Sequence, residues 1–148
     1  MAKRTDLTDH VLSTLNRYGI PPERAEKKLW GVAVPLSDPN RHTQSSLAVL
    51  DAGGYSSIHI HNQKVNVFCC ERGEMVISIW DRPEGAEIVD PDREVKLLAG
   101  ESLIVDINIA HQMHAVENSV CVEFYYCHAA GHIVSPADIQ RLTTGGQS

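Results

Sequence analysis

From Leu29 onward the sequence repeats one pattern, a short stretch with apolar side chains at alternating positions followed by a turn. Residues 29–34, 46–52, 57–61, 65–70, 74–80, 87–89, 94–98, 102–107 and 120–127 read as strands of this kind. Between them stand turn-forming groups such as Asp38-Pro39-Asn40, Gly53-Gly54, Arg72-Gly73, Arg82-Pro83-Glu84-Gly85, Asp90-Pro91-Asp92 and Ala99-Gly100. Successive side chains of a strand point to opposite faces, so each strand sees two environments. Leu103, Val105, Ile107 and Ile109 share one face, and Asp106 and Asn108 the other. Likewise Val122, Phe124 and Tyr126 oppose Cys121, Glu123 and Tyr125. Many short strands with no helical periodicity between them predict an all-β sandwich or barrel.

The ends of the chain differ. Leu7, Val11, Leu12 and Leu15 recur at helical spacing, which predicts a helix over 5–17 covering a barrel edge or a dimer interface. Thr5 or Asp6 would cap it, and Gly19 with Pro21 and Pro22 would stop it. Ser135 and Pro136 suggest a second short helix over 135–142, with 143–148 frayed. A chain of 148 residues suits one domain: a helical extension over 1–27, a barrel over 28–128 and a tail over 129–148.

Composition narrows the partners. The formal net charge of -6 disfavours nucleic acid. No apolar run approaches the roughly 20 residues of a membrane span, and the polar start, Met1 to Asp6, lacks the apolar centre of a secretory signal. Cys69, Cys70, Cys121 and Cys127 lie in strand-like segments without Cys-x-x-Cys spacing, as free thiols in a reducing cytoplasm would.

His59 and His61 are two apart in a strand-like run, so both rings leave one face. Two imidazoles side by side make half of a metal site. His111, after the alternating segment that begins at Gly100, is the best third ligand. His114 is the alternative if a bulge shifts the register, and otherwise faces away from the site. His10, His42, His128 and His132 have no partner spacing. Glu123 and Tyr125, on the strand after the third ligand, could move a proton if their face borders the pocket.

These residues resemble the cupin family, whose first motif is Gly, five residues, His-x-His, three or four residues, Glu, six residues, Gly. Here Gly53, His59-Ile60-His61, Asn66 and Gly73 keep those spacings, with Asn66 at the glutamate position. The second motif is Gly, five residues, Pro-x-Gly, two residues, His, three residues, Asn. Gly100 and His111 match it, whereas Asp106 and Asn108 stand for Pro and Gly, and Ala115 for Asn. The resemblance implies a jelly-roll barrel, also called a double-stranded β-helix, that holds one divalent metal on His59, His61 and His111. Iron, manganese, nickel and zinc all fit such ligands. Asn66 would offer only a carbonyl oxygen, and Gln63 or Glu123 could serve instead. Homodimers are a further expectation of the family.

Lys28-Leu29-Trp30-Gly31, residues 57–61 and residues 64–73 also look like the cupin domain of type II mannose-6-phosphate isomerases. That likeness implies isomerase or epimerase-like chemistry on a sugar or hydroxy-carbonyl compound, with Lys64 or Arg72 meeting a phosphate. Asn66 fits a rival class better, the three-histidine iron dioxygenases. A cupin that binds a small ligand without turning it over is the third expectation.

Overall fold

The structure, a computed structural model, describes residues 6–37, 42–81, 90–127, 129 and 133–148. The turns expected at 38–40 and 82–85, the strand at 87–89, the cap Thr5, His128 and His132 lie outside these residues.

Helix α1 is Asp9–Arg17, and it starts later than the apolar spacing suggested because Thr8 is the cap. Thr8 has an extended backbone, its hydroxyl accepts from Val11 N at 3.2 Å, and it donates to the Asp51 carboxylate. Gly19, at φ +67°, ends the helix as expected. Val11 and Leu15 are buried, but Leu12 is 42% exposed, so the apolar stripe is narrower than its spacing implied. That stripe seats on Val32, Val34, Leu47, Val49 and Val120, the outer face of a sheet rather than a barrel edge.

The strands are β1 Glu26–Lys28, β2 Gly31–Pro35, β3 Thr43–Leu50, β4 Gly54–Tyr55, β5 His59–Ile60, β6 Lys64–Arg72 and β7 Glu74–Trp80. They continue with β8 Arg93–Leu98, β9 Ser102–Val105, β10 Ala110–Ala115, β11 Ser119–Cys127, β12 Gln140–Arg141 and β13 Gly146–Gln147. One sheet runs β1-β2-β3-β11-β6-β9. In the other, β10 pairs with β7 along one side and with β4 and β5 along its other side, while β8, β12 and β13 extend β7, β5 and β4. All pairings are antiparallel. The result is the all-β, double-sheet barrel with a short N-terminal helix that the motifs implied.

Four local expectations change. The charged run before Leu29 contains β1, held by pairing Lys27 with Val32 rather than by burial. The strand expected over 102–107 stops at Val105, because the Asp106 carboxylate accepts from Ile107 N at 2.7 Å and Asn108 turns the chain at φ +62°. Asn is among the few non-glycine residues that tolerate this region, so Asn108 does there what glycine does in the second motif. Strand β10 follows at once, though Ala-His-Gln-Met-His-Ala has little strand propensity; six residue pairs with β7 hold it.

The tail forms neither a helix nor a frayed end. Asp138 N bonds Ser135 O at 3.1 Å in a turn, β12 then pairs with β5, and β13 with β4. Leu142 N bonds Ile58 O at 2.8 Å and Ser148 N bonds Gly53 O at 2.8 Å. Strand edges left open by β4 and β5 take up the tail's N–H groups, and that outweighs a weak local helix signal.

The two sheets enclose Trp30, Phe68, Met75, Ile77, Ile79 and Met113 among other buried apolar residues. Along the neighbouring strands β6 and β11 the inner face changes character. Cys70 pairs with Cys121, then Phe68 with Glu123, then Asn66 with Tyr125. One end of the barrel is therefore filled and apolar, and the other is open and polar. All four cysteines are free.

Candidate metal centre

Two strands bring three imidazoles together at the polar end. Strand β5 and the residue after it carry His59 and His61, and β10 carries His111 directly opposite His59. Ring centroids are 4.9 Å apart for His59 and His61, 4.5 Å for His59 and His111, and 5.4 Å for His61 and His111. His61 and His111 are 3% and 1% exposed, while His59 is half-buried at the mouth. One ligand atom from each lies within 4.8 Å of the others, close enough for a single ion to reach all three after small side-chain shifts.

Hydrogen bonds fix which nitrogen is free. His59 Nδ1 lies 2.9 Å from Ser57 O, His111 Nδ1 2.9 Å from Ile109 O, and His61 Nδ1 2.7 Å from Asp138 O. A carbonyl only accepts, so each Nδ1 carries the proton and each Nε2 presents a lone pair. His61 Nε2 is buried with no hydrogen-bond partner among the described residues. The rings are also held neutral. Burial lowers His61 to about 3 and His111 to about 4. His59 falls well below 6.5 through burial first, then the neighbouring His111 and His61. Three neutral imidazoles with converging lone pairs fit a divalent transition metal.

Asn66 is fully buried, with its Oδ1 3.2 Å from His111 Nε2 and its Nδ2 unpartnered among the described residues. It therefore faces the cluster from the motif position where the family carries glutamate. Gln63 is exposed in the turn after His61. His114 is on the other face of β10, paired with Tyr55, and Asn118 is engaged with Ala52 N at 2.9 Å.

A cavity of about 510 Å³ opens beside the histidines. Glu123, Tyr125 and Lys64 line it together with His59 and His61. Tyr125 Oη donates to Glu123 Oε2 at 3.3 Å, and its ring stands edge-on to His61 at 5.6 Å. Burial raises the Glu123 carboxyl to about 7, against the lowering pull of Tyr125, Lys64 and Lys28. Burial likewise raises Tyr125 well above 10, with Glu123 adding to it. Lys64 is 5% exposed; its Nζ donates to Ser135 O at 3.2 Å and lies 4.5 Å from the Tyr125 ring centroid. Arg72, at the far end of β6, is exposed and lines a separate depression with His10 and Glu117, so it does not join Lys64 at the cavity.

Two residues had no sequence signal. Arg141 on β12 pairs with His59 and lines the cavity. Asp138 accepts from Asn62, Gln63 and Lys64 N at 2.9, 3.0 and 2.9 Å through its carboxylate, besides holding His61 through its carbonyl. Both sit in the tail, and only its docking brings them to the centre.

No protein-family model and no curated protein sequence matches the chain. Solved structures do. A cupin superfamily protein from Desulfitobacterium hafniense is 17% identical, with a TM-score of 0.52 over 64% of this chain and 75% of that one. KdgF from a Halomonas species is 12% identical, with a TM-score of 0.53 over 67% of this chain and 80% of that one. Oxalate decarboxylase from Lactobacillus farciminis is 12% identical, with a TM-score of 0.59; the match covers 80% of this chain and 33% of that protein. No helix among the described residues is long and apolar enough to cross a membrane. Identities this low speak to architecture alone, and together with the two antiparallel sheets they establish that this chain has the cupin fold.

Proposed function

We propose that the protein is a metal-dependent enzyme that moves a proton on a small hydroxy-carbonyl compound, in the manner of an isomerase or epimerase. The observation that carries this reading is Glu123, a carboxyl raised to about 7 in the wall of the cavity that the histidines open into. A group that titrates near the working pH can both take and return a proton. A divalent metal on His59, His61 and His111, with Asn66 beside it, would supply the polarisation that makes a carbon next to a carbonyl acidic. Glu123 would take the proton from that carbon and return it to the neighbouring one. The Tyr125 hydroxyl, bonded to Glu123, would keep the carboxylate oriented, and Lys64 behind the Tyr125 ring would hold an anionic part of the substrate.

Solvent-deuterium exchange tests this. Protein loaded with one metal per chain should exchange the hydrogen next to the carbonyl of its hydroxy-carbonyl substrate. Glu123→Gln should lose at least a hundredfold in rate while keeping its metal. Exchange that survives this substitution unchanged would sink the assignment of the base. The neutral donor set with Asn66 is also what a ferrous dioxygenase would use. Substrate-dependent oxygen uptake by the iron-loaded protein, without exchange, would select that reading instead.

A further inference from the structure

The cavity's charges run against those of the chain. The sequence carries a formal net charge of -6, yet three cations, Lys28, Lys64 and Arg141, and two carboxylates, Glu26 and Glu123, line the cavity. Lys28 is paired with Glu26 at 3.5 Å. Arg141 has no ion-pair partner among the described residues, although it is close enough to influence the titration of His59, Lys64 and Tyr125. Lys64 is almost wholly buried and gives one of its N–H groups to Ser135 O. An ammonium has three N–H donors, so donors remain for a ligand. The nearby Asp138 carboxylate does not line the cavity and is occupied by three backbone N–H groups. Arg141 and Lys64 thus make a cationic end of the lining, with the Asp138 charge also acting on Lys64.

We infer that the substrate is a small monocarboxylate, its carboxyl group seated between Arg141 and Lys64 with its hydroxyl or carbonyl oxygen turned toward the three histidines. This rests on the reading of the histidine cluster as the reacting centre. The planar Arg141 fork matches both oxygens of a carboxylate, and Lys64 adds a point charge from the other side. A divalent metal on the histidines would add two more positive charges, so net charge alone does not choose the anion. Glycerate offers a carboxylate to Arg141 and Lys64 and a separate hydroxyl to the metal, whereas inorganic phosphate has only one group to serve both.

Titration calorimetry decides it. Glycerate, glyceramide and inorganic phosphate are titrated into zinc-loaded protein whose metal content is measured, and into chelator-stripped protein. Glycerate should bind at least tenfold more tightly than glyceramide and than phosphate. Arg141→Gln, at an exposed position that leaves the fold intact, should cost about tenfold in glycerate affinity and little in glyceramide affinity. Lys64→Gln should act in the same direction, with thermal melting to verify its fold. Equal affinity for acid and amide, tighter binding of phosphate, or a glycerate preference untouched by Arg141→Gln would each overturn the inference. Failure to take up zinc would sink the metal reading; the acid-against-amide comparison on stripped protein would still decide this one.

Discussion

Asn66 Oδ1 stands 3.2 Å from His111 Nε2, and with His111 protonated on Nδ1 the two atoms meet lone pair to lone pair. A cation between them would relieve that contact. Turning the amide instead would give the histidine an N–H and withdraw it from the donor set. Asn66→Asp replaces a neutral oxygen with a charged one in nearly the same volume. It should tighten metal binding roughly 10-fold, measured by competition with a chromophoric chelator, while destabilising the metal-free protein by burying a carboxyl without a cation. Weaker metal binding in the variant would show that Asn66 does not face the ion.

His61 depends on a distant segment in a way that His59 and His111 do not. Asp138→Ala removes the three bonds that pin the turn after His61 and loosens the carbonyl on its Nδ1. Metal affinity should fall 10- to 100-fold, the usual cost of losing an outer partner of a ligand. The visible spectrum of the cobalt-loaded protein should shift as the donor geometry relaxes. Unchanged affinity and spectrum would show that Asp138 only stabilises the tail.

The histidines set the acid limit of the metal-free protein. Folded His61 titrates near 3 and folded His111 near 4, against 6.5 for an unburied ring. Below 6.5 the unfolded chain therefore binds more protons than the folded one, and stability falls as pH drops toward 4. The melting temperature of stripped protein should be lower at pH 5 than at pH 7.5, and His111→Gln should narrow the gap. A gap that His111→Gln leaves unchanged would show that the cluster is not its source.

Glu123 works with the opposite sign. Its folded value near 7 exceeds the ordinary 4.5, so the folded state holds the extra proton, and stability is lost as pH rises through that window. Glu123→Gln should abolish this loss. Urea unfolding of the stripped proteins at pH 5 and pH 8 should show the variant gaining on wild type at the higher pH, and a constant difference would refute the raised carboxyl.

Asn108 tests the reading of its turn. Asn108→Gly, which suits φ +62°, should leave stability within about 0.5 kcal/mol. Asn108→Val should cost about 1–2 kcal/mol, because a β-branched residue clashes in that region. Chemical denaturation separates the two outcomes.

The long barrel strands were legible because their two faces differ, as in β7, where Met75, Ile77 and Ile79 alternate with Glu74, Val76 and Ser78, and in β11, where Glu123 and Tyr125 share a face opposite Val122 and Phe124. The His-x-His pair was legible for the same reason, since a two-residue period puts both rings on one side. Strand β10 was not: Ala110, Gln112 and His114 carry no strand signal, and only pairing with β7 makes the segment extended. Arg141 and Asp138 were invisible because their neighbours are more than 70 residues away in the chain. Arg72 was misplaced because β6 is long, and one end of a nine-residue strand says nothing about the chemistry at the other.

His59 and His111 each take their holding carbonyl from two residues back on the chain, whereas that of His61 comes from 77 residues ahead. A metal on all three histidines would therefore tie the tail to the barrel through Asp138, and its removal would show first as loosening of the tail where it docks on β4 and β5.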